Sequence, residues 1–169
     1  FAARRADKLY LALAARPPRK KQGIVQGGME RSRRGAWRLT RAQPTAGRAG
    51  RGSSSTASFA RTRFDSWPLG SERHPRQRVY VLAPKSGRTH QLRVAMKSLG
   101  APILGDALYA HAADAAEEAR AHLHAAALRL RLGGPGSGGE LVEVRCPPPC
   151  EGEFASDEFR AWYDQVFCA

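Results

Sequence analysis

Residues 84–109, PKSGRTHQLRVAMKSLGAPILGDALY, concentrate more groups capable of chemistry than any other part of this 169-residue chain. Arg88 and Arg93 carry planar forks of donors that match a phosphate or a carboxylate. Thr89, His90 and Gln91 lie between them. A glycine-bearing turn at Ser86 and Gly87 would deliver residues 88–91 to the first turn of a helix. Unpaired N–H groups and the helix dipole favour an anion there. Five positions apart, the two arginines point in different directions and call for different partners. Two ordinary helical arginines beside a hydrogen-bonded histidine would give the same residues, so the segment alone leaves both readings open. Asp106, after Gly105, offers a loop carboxylate that a turn role also explains. His122 and His124 fall on one face of a strand and, with His111, invite a test as metal ligands.

The elements that would position these groups can be read from periodicity. Residues 89–99 place Leu92, Ala95, Met96 and Leu99 at helical spacing, with Gly100 as the cap. Residues 78–82 (RVYVL) and 8–14 (KLYLALA) read as strands, the second a buried one. Two shorter strands are expected at Ile24-Val25 and at Trp37 to Leu39, separated by a polar segment. Another starts at Thr62 to Phe64, before a turn at residues 67–70. Alternation of Leu128, Leu130 and Leu132 with Arg129 and Arg131 favours a strand, which residues 141–144 would pair back on as a hairpin. Ser156 should cap a last helix, with Asp157 and Glu158 in its first turn and Phe159, Trp162, Tyr163 and Val166 on its buried face. The fold class is therefore α+β: a mixed, mainly antiparallel sheet with flanking helices. One domain is expected over residues 1–169, with a flexible low-complexity insertion at about 43–58.

Charge narrows the function classes. The chain carries 28 Lys and Arg against 15 Asp and Glu, a net +13. Residues 1–63 hold 16 of the basic and 2 of the acidic residues, so the excess lies in the first third of the chain. Such a stretch attracts a polyanion, with RNA or DNA phosphates the obvious one. Cys146, Cys150 and Cys168 form an odd set without zinc spacing and read as free thiols. No apolar run approaches the roughly 20 residues of a membrane span. The first residues, FAARR, do not read as a signal peptide and resemble the middle of a protein.

Taken in order, GRTHQLRV, SLGAPILGDALY and LHAAAL (residues 123–128) resemble the pseudouridine synthases of the RluA family. KLYLAL (residues 8–13) is similar to that family's K-x-Y-x-A element. KKQGIV, GGM, WRL and ARTRF resemble a bacterial-type branch of it. The resemblance covers nearly the whole chain apart from the insertion. Gly28 stands where that branch has Asp, and Ala95 where many members have His. The family's H-R-L-D-x-x-T-S-G motif, which carries the nucleophilic aspartate, does not occur in these 169 residues. It is expected before Phe1.

What the resemblance implies is an enzyme that isomerises uridine to pseudouridine in ribosomal or transfer RNA. The uridine is flipped from its stack, the base detaches, rotates and reattaches through C5. Tyr10 aligns with the family's active-site tyrosine, which packs on the base and is proposed as a proton acceptor. Arg93 aligns with the arginine that pairs with the catalytic aspartate and holds it ionised. With that aspartate absent, Arg93 is expected to lack its carboxylate partner, which would distort the site. Arg88, Thr89, His90 and Gln91 are expected on the RNA-facing edge. The resemblance implies no cofactor and no metal, and makes His124 part of a structural strand. The expected partner is RNA, with no membrane association and a monomeric state; the compartment is cytoplasm, or an organelle in a eukaryote. The alternative is an RNA-binding remnant without catalysis.

Overall fold

A computed structural model describes residues 6–41, 58–70, 72, 74–116, 118–132 and 139–168. Most of the expected insertion at about 43–58 lies outside these residues. Seven strands form one sheet in the order β3-β2-β4-β5-β1-β6-β7. They are β1 (Ala6–Ala14), β2 (Gln22–Arg31), β3 (Trp37–Thr40), β4 (Ser58–Pro68), β5 (Arg78–Pro84), β6 (Leu123–Leu132) and β7 (Glu140–Arg145). Each pairing is antiparallel. The helices are α1 (Gln91–Ser98), the short α2 (Ala112–Ala116) and α3 (Asp157–Trp162). The α+β class read from the sequence is the one observed.

Strand β1 sits inside the sheet, bonded to β5 on one side and β6 on the other. Its alternating side chains divide between two cores, as the period of two requires. Ala12 and Ala14 join Phe64, Tyr80 and Leu82 under Leu92 and Met96 of α1, with Tyr10 packed against that cluster. Leu11 and Leu13 join Val79, Phe154, Phe159 and Trp162 on the opposite face, beneath α3. A third, smaller cluster gathers Met29, Ala60, Val94 and Tyr109.

Several expected boundaries move. Strand β2 runs ten residues around the Ile24-Val25 seed because β3 and β4 pair with it from both sides. Gly27 is required within it: a Cβ there would run into the Thr40 carbonyl and the Leu39 side chain. Strand β4 extends through Trp67 and Pro68, residues expected in a turn, because Trp67 pairs with Val79 and packs on the α3 core. Helix α1 begins only at Gln91, so Arg88, Thr89 and His90 form the turn before it. Gly100 (φ 77°) ends the helix as expected, its N–H bonding to the Lys97 carbonyl at 3.0 Å.

At the other end, the Ser156 side chain accepts from the Phe159 N–H at 3.3 Å, the expected cap. Beyond Trp162 the helix loosens into π-type turns over Tyr163–Phe167, and Val166 is 43% exposed instead of buried. The β6–β7 hairpin forms as expected. One of its faces carries the ion pairs of Glu143 with Arg129 (2.6 Å) and Arg145 (2.7 Å). The other sets Leu128 opposite Val144 and Leu130 opposite Val142, and Leu132 and Val144 stay half exposed. No described helix is long and apolar enough to cross a membrane.

Candidate active site

The segment between β5 and β6 builds the site on the α1 face of the sheet. Its base is a clamp. Gln91 is buried, and its Oε1 accepts from the Ser86 hydroxyl (2.8 Å) and the Arg88 N–H (3.0 Å). Its Nε2 donates to the Arg61 carbonyl (3.1 Å) and the Thr62 hydroxyl (3.0 Å). The side chain thus ties the 86–90 turn to β4. Gln91, expected to face RNA, points inward because it supplies the hydrogen bonds that hold the turn.

His90 ends the turn at φ 56°, a left-handed conformation uncommon outside glycine. Its Nδ1 lies 2.9 Å from the Tyr109 hydroxyl, which also accepts the Trp37 N–H at 2.7 Å. That network is satisfied when Tyr109 donates to Nδ1, leaving an Nε2 hydrogen. Arg88 and Thr89 are exposed beside it, and Arg88 reaches the Phe59 carbonyl at 3.4 Å.

Arg93 is not without a carboxylate, contrary to the sequence-based expectation. Its Nε and Nη2 bind the two oxygens of Asp106 at 2.8 and 2.7 Å. The guanidinium lies 4.9 Å from the centre of the Tyr109 ring, and the Lys97 amine 5.5 Å from it. Asp106 also plays the turn role expected of it, its Oδ1 accepting the N–H groups of Leu108 (3.0 Å) and Tyr109 (3.1 Å). Burial opposes its charge, but the Arg93 hydrogen bond, the Leu108 N–H and the Arg93 charge prevail and hold its carboxyl below the usual range. Burial, partly offset by the Trp37 N–H and Arg93, pushes the Tyr109 hydroxyl up. Gly105 makes the turn possible: at φ 73°, a Cβ would collide with the Arg120 carbonyl.

Tyr10 is half buried on β1, on the same apolar cluster as Leu92, the residue before Arg93. Its hydroxyl makes no hydrogen bond among the described residues, unlike that of Tyr109. Tyr10 and Arg93 therefore share a face of the sheet, although they do not bond to each other. A groove of about 520 Å³ opens on the other face, between Leu9, Val81, Ala83 and Ala127 and the C-terminal Trp162 and Phe167. Its lining includes neither Tyr10 nor Arg93.

The histidines weighed as metal ligands separate. His122 is buried against Phe154, with Nε2 accepting the Glu153 N–H at 3.2 Å, while the His124 Nε2 lies 2.8 Å from the Cys146 carbonyl. His111 is exposed. A different trio, His74, Glu118 and Glu153, brings one ligand atom each within 4.8 Å, and each of these side chains already engages another group. The three cysteines are free and exposed.

No protein-family model matches the chain. An uncharacterized RNA pseudouridine synthase of Haemophilus influenzae is 41% identical over 130 residues, which cover 77% of this chain and 50% of that protein. The dual-specificity RNA pseudouridine synthase RluA of Yersinia pestis is 54% identical over 44 residues, 26% of this chain and 21% of that one. The solved human RNA pseudouridylate synthase domain containing 1 superposes with a TM-score of 0.67 at 26% identity, over 88% of this chain and 57% of its own. This chain belongs to the RluA-type pseudouridine synthase family. Human RNA pseudouridylate synthase domain containing 4, at 22% identity and a TM-score of 0.60, shares the fold across 99% of the chain. The RluA-type domain seen here spans half the length of its Haemophilus relative. One residue of the candidate site, Tyr109, and one contact, the grip of Asp106 on Arg93, were not read from the sequence. Tyr109 was visible only as the end of the ALY run, and the Asp106–Arg93 pair joins two elements 13 residues apart.

Proposed function

We propose that this chain is the C-terminal part of the catalytic domain of an RNA pseudouridine synthase acting on ribosomal or transfer RNA. The observation that carries the reading is the placement on one face of two groups left without a bond among the described residues: the Tyr10 hydroxyl, and the Nη1 of an Arg93 guanidinium whose Nε and Nη2 are bonded. Tyr10 would pack on the flipped uracil and accept a proton. Arg93 would pair with the family's nucleophilic carboxylate and keep it ionised. Arg88, Thr89 and His90 would contact the RNA backbone, while Gln91 holds their turn. The basic residues of β2, β3 and β4 would supply phosphate affinity. The reaction needs no metal or cofactor. The protein acts as a monomer in the cytoplasm, or in an organelle of a eukaryote.

One observation favours a second reading, an RNA-binding remnant. Arg93 already has a carboxylate in Asp106, so the site is electrostatically complete without another. Forming the C5 bond to the sugar displaces the C5 hydrogen, so release of tritium from 5-tritiated uridine RNA reports turnover. The full-length gene product is expected to release tritium and to carry an H-R-L-D-type motif before Phe1. Salt-dependent RNA binding without release by the full-length protein would refute catalysis and support the remnant.

A further inference from the structure

Asp106 is poorly suited to be a nucleophile itself. Its side chain is 0% exposed, and its oxygens are taken by two donors from Arg93 and two backbone N–H groups. It is well suited to something else. It grips the guanidinium along the Nε–Nη2 edge, in the side-on geometry that fixes both distance and plane. The guanidinium carbon also lies over the Tyr109 ring, 4.9 Å from its centre. Asp106 is itself held by the Leu108 and Tyr109 N–H groups and by a turn that only Gly105 allows. What remains is the Nη1 edge, on a side chain still 28% exposed. Three constraints from the 105–109 loop therefore converge on one cation of α1. Two apolar residues would join helix and loop at lower desolvation cost, so the charged pair needs a reason beyond stability.

We propose that Asp106 is a positioning residue for the isomerisation. It clamps the inner edge of Arg93 so that the outer edge is presented, in one fixed orientation, to the carboxylate that attacks the nucleoside. The inference rests on the synthase reading above and adds a residue to it. Asp106 touches no substrate. It acts through Arg93, and its charge is shared between the guanidinium and the loop.

The test uses the full-length protein with the variants D106N, D106E, R93K and D106N/R93K. Single-turnover tritium release is followed against pH, alongside RNA affinity and thermal melting. Asn keeps the acceptor for the loop N–H groups and loses the anion. D106N is expected to slow release about 10- to 100-fold at saturating RNA, with affinity changed less than about twofold. The acid limb of its rate profile moves to higher pH, because a loosened Arg93 no longer holds the nucleophile ionised. D106E recovers part of the rate, and D106N adds little to R93K. An unchanged rate and acid limb in folded D106N, or losses that simply add in the double variant, would overturn the proposal. So would an acid limb moving to lower pH, which would mean that Asp106 merely neutralises Arg93. Should D106N fail to fold, arginine-labelled NMR of the wild type decides instead. A slowly exchanging Nε–H, assigned by its loss in R93K, supports the clamp, and rapid exchange refutes it. Absence of tritium release from the wild type would refute the synthase reading alone, with the NMR readout still deciding the clamp.

Discussion

Replacing Gln91 by alanine removes four hydrogen bonds at once, two made by each end of the amide. Their loss is unequal. The Arg61 carbonyl keeps a second donor in the Lys85 N–H at 2.8 Å, and water can reach Ser86 and Arg88. The Thr62 hydroxyl, 1% exposed, stays buried without this donor. An abandoned buried group of that kind costs about 1–3 kcal/mol. Withdrawing the amide and its stem from a site 5% exposed adds about 1 kcal/mol for the space left behind. The expected destabilisation of Q91A is thus about 2–4 kcal/mol, and Q91M, which refills the volume, should recover about 1 of it. Urea titration of the full-length protein is the assay: the midpoint should fall while the slope stays constant. A loss below about 0.5 kcal/mol, or an RNA affinity that collapses while stability holds, would refute the assignment of Gln91 as a clamp.

Tyr10→Phe deletes a hydroxyl with no hydrogen-bond partner among the described residues, so melting should be unchanged while tritium release falls by about two to four orders of magnitude; an active Y10F would remove Tyr10 from the chemistry. Stability should fall in acid through two groups. The His122 imidazole, held low by burial, makes the folded state refuse a proton that the unfolded chain accepts as pH drops below about 6.5, and H122Q should flatten that part of the curve. The Asp106 carboxyl, held low chiefly by Arg93 against its burial, stabilises above about pH 4 and loses that contribution as pH falls through its folded value, so D106N should flatten the lower arm. Leu13→Ala, at a site 0% exposed, should cost about 2–5 kcal/mol, whereas V144K, at a position 54% exposed, should change stability by less than about 0.5 kcal/mol in denaturant titration.

How far the sequence was readable depended on how local each signal is. The β6–β7 hairpin was visible through alternation and β5 through its run of β-branched and aromatic residues, both properties of neighbouring residues. Strand β2 was visible only at Ile24-Val25, since Gly23, Gly27 and Gly28 have little strand preference and are held extended by β3 and β4. Trp67 and Pro68 look like a turn until the register with Val79 and Arg78 is known. In the site, Arg93 and Tyr10 were found through motif resemblance, and the structure adds where they sit. The inward turn of Gln91 could not be read, because its partners lie 29 and 30 residues away on β4. Nor could the grip of Asp106 on Arg93, which depends on how the 105–109 loop returns to α1.

Strand β1 has a consequence for how this domain can breathe. Its register is bonded on both sides from Tyr10 to Ala12, and Leu11 and Ala12 are 0% exposed. Opening it would break two ladders and both main cores together, so its amides should exchange with solvent only through global unfolding. Arg93, by contrast, hangs from an eight-residue helix and a loop, which can open at much smaller cost. The two groups placed at the site thus belong to parts of the molecule with different lifetimes. In the proposed site Tyr10 would be a fixed wall, and whatever adjustment that site makes to an incoming strand would have to come from the other side.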